Sequence, residues 1–234
     1  MSSISDARFL AEGAITVKGR MPWSTNVTLL VELSLEGETG HAIYKPRRGE
    51  RRLWDFPPGL FKREIAAYVL SEALGWGLVP LTVARDDGPH GEGSLQRFVA
   101  ADFEQHYFTL RERPEHHDRL RRICLFDLVA NNADRKSGHC LLGEDGAIWA
   151  IDNGLCFHVD DKLRTVIWEF AGEPIPAPLA RDLERLLGTC GLDALAGLID
   201  DDEREAMLLR ARALLDEGTF PTDGRDYRYP WPDV

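Results

Sequence analysis

The strongest constraint on this chain is a change of apolar rhythm near its middle. Up to Ala100 the apolar residues fall in short runs rich in Val, Ile, Leu and Thr, cut by Gly and Pro turns; beyond it they recur at helical spacing. Residues 13–18, 27–35 and 41–44, the last after the turn Glu36-Gly37-Glu38-Thr39-Gly40, predict an antiparallel meander. Pro57-Pro58-Gly59 breaks it, and Phe61, Ile65, Tyr68 and Val69 predict a helix over 61–74 that Gly75 and Gly77 stop. Residues 86–93 read as a loop and 95–100 as a further short strand. Asp118 is a candidate cap for a helix running to Ala130, two amphipathic helices follow over 178–187 and 201–215, and the tail 219–234 is expected to lie extended on the surface. Strands first and helices afterwards imply an α+β protein, and 234 residues permit two small lobes, 1–100 and 101–234.

Charge narrows the partners. Lys and Arg number 28 against 39 Asp and Glu, a net charge of −11. That balance argues against nucleic acid and against stable association with anionic membranes, both of which repel an acidic protein at long range. No run of about 18 apolar residues is present to span a bilayer. The first nine residues carry Asp6 and lack a basic stretch followed by an apolar one, so the expected location is the cytoplasm. Cys124, Cys140, Cys156 and Cys190 are scattered without CxxC pairs, which fits reduced core thiols better than a disulfide framework or a zinc site.

The candidate chemistry lies at two joints of this pattern. Asp134 follows a helix in the polar loop Asn131-Asn132-Ala133-Asp134-Arg135-Lys136-Ser137-Gly138. A hairpin over 140–151, turning at Gly143-Glu144-Asp145-Gly146, then brings Asp152 back beside that loop. Phosphoryl transfer needs two such carboxylates: one to orient the attacking hydroxyl and take its proton, another to hold a metal that neutralises the phosphates. Asp134 suits the first role and Asp152 the second. Asp127, on the preceding helix, is either a brace for the loop or a surface charge.

Asn132-Ala133-Asp134-Arg135 together with Ala150-Ile151-Asp152-Asn153-Gly154-Leu155 resembles the catalytic loop and metal motif of the phosphatidylinositol 3-/4-kinase superfamily. The likeness is nearest to the type II phosphatidylinositol 4-kinase branch and an actinobacterial group associated with it, and more distantly to HipA-like kinases and the protein-kinase fold. Ile43-Tyr44-Lys45-Pro46 matches the nucleotide-binding lysine strand, Arg63-Glu64-Ile65 the helix bearing its acidic partner, and Gln96-Arg97-Phe98-Val99 the interlobe hinge. The resemblance implies a reduced two-lobed kinase fold with a β-rich N-lobe and a small helical C-lobe. ATP would lie in the cleft with Mg²⁺ or Mn²⁺, and a hydroxyl-bearing substrate would accept the γ-phosphate. Lys45 and Glu64 would hold the phosphates, Ser24 and Thr25 would cover them, and the backbone of Phe98, Val99 and Ala100 would meet the adenine edge. Asp134, Asn132 and Arg135 would form the catalytic loop, Arg135 bracing it or touching the acceptor.

One position departs from that pattern. Five residues after Asp134, where such kinases carry an asparagine for the second metal, stands His139, a poorer ligand for Mg²⁺ than for softer ions. His139 is a metal ligand, a substrate contact or the mark of a defunct site, so a catalytically impaired pseudokinase is the main alternative. Transfer of the AMP part of ATP is a second one. A soluble polyol or a protein hydroxyl fits the acidic chain better as acceptor than a phosphoinositide.

Overall fold

The computed structural model of the protein describes residues 5–22, 24, 26–188, 190–222 and 228–232. In chain order its elements are α1 (Asp6–Glu12), β1 (Ala14–Arg20), β2 (Leu29–Leu35), β3 (Glu38–Pro46), α2 (Leu60–Ala73), β4 (Thr82–Gly88), β5 (Gly91–Arg97), α3 (Tyr107–Leu110), α4 (His117–Ala130), β6 (Cys140–Leu142), β7 (Ile148–Ala150), α5 (Ala177–Gly188) and α6 (Asp201–Glu217). β1 to β5 form one antiparallel sheet in the order β1-β2-β3-β5-β4, and β6 pairs with β7 in a separate hairpin. The fold is α+β, an antiparallel sheet lobe followed by a helical one.

The sheet follows period-2 patterning. Leu29, Val31 and Leu33 of β2 and Ala42 and Tyr44 of β3 point to one face, where they pack with Leu95 of β5 and Leu10 of α1. Helix α1, absent from the sequence reading, is capped by the Ser5 side chain. The stretch 86–93 also differs from expectation, since β4 ends and β5 begins within it and only Pro89-His90 form the turn of their hairpin. The Arg85 guanidinium there reaches the carbonyls of Leu10 and Gly13 at 2.8 and 3.1 Å and bonds Asp87 at 2.6 Å, which ties polar residues into a strand. At Gly93 a Cβ would lie 2.5 Å from the carbonyl oxygen of Lys45, so only glycine lets β5 close on β3 at that residue.

The second, larger core joins α2 to the helical half. Ala66, Ala67, Leu70 and Leu74 pack with apolar residues of α4, α5 and α6. Helix α4 starts at His117; Asp118 is an exposed first-turn acid paired with Arg121 at 3.5 Å and is no cap. Arg119 of the same helix turns inward and donates to the carbonyls of Trp76, Gly77 and Ile148 at 2.6, 2.5 and 2.9 Å. Nor is the tail simply superficial: Phe220 is buried with its ring 6.0 Å from that of Phe170. Cys124, Cys140 and Cys156 are buried free thiols. Among the described residues no helix is long and apolar enough to cross a membrane.

A buried ion pair locks α2 against α6. Arg63 donates to the Glu203 carboxylate and the Cys156 carbonyl, and both side chains are more than nine-tenths buried. Removing one partner strands the other charge. Glu203→Ala is therefore expected to destabilise the protein by ~3–5 kcal/mol in a denaturant titration; a change below about 1 kcal/mol would show the pair to be dispensable.

Candidate active site

Helix α4 ends where the loop of interest begins. Asn131 takes the left-handed conformation (φ 54°) that stops the helix, and its side chain donates to the carbonyls of His158 and Asp160. One turn earlier, Asp127 is fully buried and collects four donors: Arg135 Nε and Nη2 at 3.0 and 2.9 Å, Asn132 Nδ2 at 3.0 Å and Thr165 Oγ1 at 3.4 Å. Only an ionised carboxylate can accept from all four. Burial by itself would disfavour the Arg135 charge, but Asp127 more than offsets this and raises the guanidinium pKa.

Arg135 is itself fully buried, so it braces the loop rather than facing a ligand. Its Nη2 reaches Asn153 Oδ1 and its Nη1 the Ile151 carbonyl, each at 2.7 Å. Asn132, equally buried, turns its Oδ1 to the Asp134 N–H at 3.0 Å. Asp127, Arg135 and Asn153 thus form one chain of contacts from α4 through the loop to the segment carrying Asp152.

Lys45, at the end of β3, bonds two carboxylates at once: Glu64 of α2, and Asp152 Oδ1 at 2.7 Å. Burial disfavours its ammonium, yet Asp152 and Glu64 outweigh burial and raise its pKa. The Lys45 charge in turn holds Asp152 well below the usual carboxylate range, while burial pushes Glu64 up. The other oxygen of Glu64 accepts the Asn153 N–H at 3.0 Å, and a Cβ on Gly154 would come within 3.2 Å of Glu64 Oε1. Asp152 has φ 56°, a left-handed conformation costly for a non-glycine residue; such strain persists where the surroundings hold it and clusters at functional sites.

Asp134 and His139 complete the cavity. Burial raises the Asp134 carboxyl to about 6, against the pull of Lys136, whose Nζ lies 3.7 Å away. His139 Nδ1 lies 2.9 Å from the Asp134 carbonyl, which can only accept, so Nδ1 carries the hydrogen; the Lys136 N–H, 3.4 Å from the same nitrogen, is the weaker contact. Burial lowers His139 to about 4, so the ring is neutral at pH 7. Its Nε2 lone pair stands 3.5 Å from Asp152 Oδ2. Imidazole nitrogen and carboxylate oxygen, facing one space, fit a divalent ion whose remaining ligands are phosphate and water oxygens. No cluster of three or more His, Cys, Asp or Glu that could hold a metal exists among the described residues.

One cavity is lined by Ser24, Lys45, Glu64, Asp134, His139 and Asp152 together. Ser24 Oγ donates to the Met21 carbonyl at 3.2 Å, while Thr25 lies outside the described residues. Phe98 and Val99 are not among the residues that line that cavity; they line a separate one with Arg97, Ala100 and Trp149. The Phe98 N–H is taken by the His41 carbonyl at 3.3 Å and the Ala100 carbonyl by the Glu144 N–H at 2.9 Å, which leaves Val99 without a backbone hydrogen bond among the described residues. The sequence reading did not foresee Glu50, whose carboxylate accepts the N–H groups of Gly59 and Phe61, 2.8 Å each, at the start of α2. Its position before Pro57-Pro58-Gly59 carries no capping pattern, because the cap closes across nine residues. Nor did it foresee the link from Asn153 to Arg135.

No family model matches the chain. It is 40% identical over 260 aligned positions to Protein Rv2133c of Mycobacterium tuberculosis, covering 95% of this chain and 93% of that protein. In structure it is similar to hydra Fam20 solved with sugar, at a TM-score of 0.53 with 15% identity over 92% of this chain and 89% of the other. It is similar also to the Helicobacter pylori proinflammatory kinase CtkA, at a TM-score of 0.51 with 10% identity over 90% of this chain and 94% of the other. At these identities the two structures establish the fold, which is protein-kinase-like.

Three outcomes are expected from this geometry. Asp127→Ala leaves the Arg135 charge buried without its partner and should cost ~3–5 kcal/mol in a denaturant titration. In metal-free protein, carbon NMR of the Asp134 carboxyl should show a midpoint near 6. Asp152→Asn should lower it, because the Asp152 charge contributes to raising it; an ordinary midpoint near 4 in the unsubstituted protein would mean that Asp134 is solvated.

Proposed function

We propose, for a chain that belongs to the family of the Mycobacterium tuberculosis Protein Rv2133c, the activity of an ATP-dependent kinase that transfers the γ-phosphate to a hydroxyl group. The observation that carries this reading is the Lys45 ammonium shared between Glu64 and Asp152 in a cavity that Asp134 also lines. A lysine fixed by a helix carboxylate positions phosphates, and a carboxylate across the cleft orients the acceptor. The protein-kinase-like fold supports the assignment.

Each residue has a role in that chemistry. Lys45 contacts the phosphates, and Glu64 holds it there. Asp134, raised to about 6 by burial, accepts a hydrogen bond from the acceptor hydroxyl and takes its proton near neutral pH. Asp152 and His139 Nε2 would hold Mg²⁺ or Mn²⁺, which supplies charge neutralisation for the transferring phosphate. Asn132 and Arg135 act by fixing the loop. The acceptor is a soluble polyol, a protein hydroxyl or a phosphoinositide.

A second reading, a nucleotide-binding pseudokinase, is favoured by one feature: a neutral, buried imidazole at His139 where an oxygen ligand is expected. Incubation with labelled ATP and Mg²⁺ or Mn²⁺ separates the two. Asp134→Ala is expected to reduce turnover by ~10²–10⁴-fold while nucleotide still binds. Asp152→Ala should abolish the metal dependence and Lys45→Met should weaken nucleotide binding. Tight nucleotide binding with no phosphate transfer under either metal would establish the pseudokinase, and a product whose mass has grown by an adenylyl group would replace kinase with AMP transfer.

A further inference from the structure

One surface departs from the acidic character of the chain. Between β3 and α2 the loop reads Arg47-Arg48-Gly49-Glu50-Arg51-Arg52, and all four arginines are exposed. In a protein of net charge −11 this is a local concentration of positive charge, which attracts anions where the rest of the surface repels them.

The nearby carboxylates offset it only in part. Glu50 is committed to the N–H groups at the start of α2, Asp55 pairs with Lys162 at 3.3 Å, and Glu92 takes only Arg47. Arg48, Arg51 and Arg52 form no ion pair among the described residues. Leaving three guanidinium groups of one short loop unpaired costs repulsion that no fold requirement explains.

These arginines line a cavity whose apolar wall is Leu53 and Phe56. Glu50, Arg51, Leu53 and Leu60 belong both to it and to the cavity that holds Lys45, Asp134 and Asp152. One molecule can therefore occupy the basic cavity and extend a group to Asp134. Lys136 and Arg164 carry the same sign of charge around Asp134, each drawing its pKa down.

We infer that this cavity is the acceptor subsite, and that the acceptor carries an anionic group, a phosphomonoester or a carboxylate, held by Arg48, Arg51 and Arg52 while its hydroxyl lies at Asp134. This rests on the kinase reading above and names the class of its substrate. Guanidinium groups suit it because their forked donors match the oxygens of phosphate and carboxylate two at a time.

The test uses the full chain saturated with a non-hydrolysable ATP analogue, which keeps anions out of the nucleotide cleft. Inositol hexakisphosphate, a soluble cluster of phosphomonoesters, is titrated calorimetrically, and phosphatidylcholine vesicles carrying phosphatidic acid are tested in parallel by cosedimentation. Binding is expected to weaken as salt rises. The double variant Arg48→Gln/Arg52→Gln should bind at least about tenfold more weakly, and Arg48→Lys/Arg52→Lys, which keeps the charge but not the fork, should fall between it and the unsubstituted protein. Loss with the soluble probe supports a free phosphorylated acceptor; loss with vesicles alone supports the same chemistry on a lipid headgroup. Equal binding by the glutamine variant, or no binding in either arm, overturns the inference. If the unsubstituted protein binds the probe but not the ATP analogue, the kinase reading fails while the anion site stands.

Discussion

The structure depends on one pair of opposite charges sealed from water, Asp127 and Arg135. Neither has any exposed surface, and in that setting each is tolerable only while the other is present. Their geometry explains why the pair is kept. Asp127 is fixed on the last turn of α4, and Arg135 spends its remaining donors on Ile151, Asn153 and, at 3.4 Å, the His139 carbonyl. The loop that presents Asp134 and the segment that presents Asp152 are therefore measured from the same point. A hydrophobic replacement of equal volume could be as stable, but it would not set two loops in register.

The second cluster stands above the first and completes it. Glu64 accepts from Lys45 with one oxygen and from the Asn153 N–H with the other. Asn153 in turn receives Arg135, so the sheet, α2 and the loop after β7 meet through a single residue. This accounts for the left-handed backbone of Asp152, whose neighbours on both sides are held by buried partners. Electrostatics separates the two acids. Asp152, beside an ammonium, stays ionised at any ordinary pH, whereas Asp134 is raised by burial to where proton exchange is easy. Different environments thus keep one aspartate ionised and bring the titration of the other toward neutral pH.

The charge of the whole protein and the charge at the mouth of its cleft point in opposite directions. A net −11 describes long-range repulsion of polyanions. It says nothing about a loop that gathers four arginines while its glutamate is spent on a helix terminus. Composition averages over a surface, and an anionic ligand of a few ångströms responds to the charges within about a Debye length.

By itself the sequence determined the succession of elements and which polar residues stand at their joints. β2, β3, α2, α4, α5 and α6 were legible from apolar runs and their punctuation, and Lys45, Glu64, Asp134 and Asp152 as a candidate cluster from the motifs in which they stand. The tertiary structure alone decided what depends on contacts between distant positions. Helix α1 is seven residues long, and β4 ends in Asp86-Asp87-Gly88, so neither shows an apolar period; each is stabilised by packing and by Arg85 reaching across the sheet. Whether Asp127 was a brace or a surface charge, and whether Arg135 faced inward or toward a ligand, could not be read from residue type, since the same carboxylate and guanidinium serve both uses. The spacing of residues fixes which groups can meet, but burial fixes their charge state, and burial is a property of the folded whole.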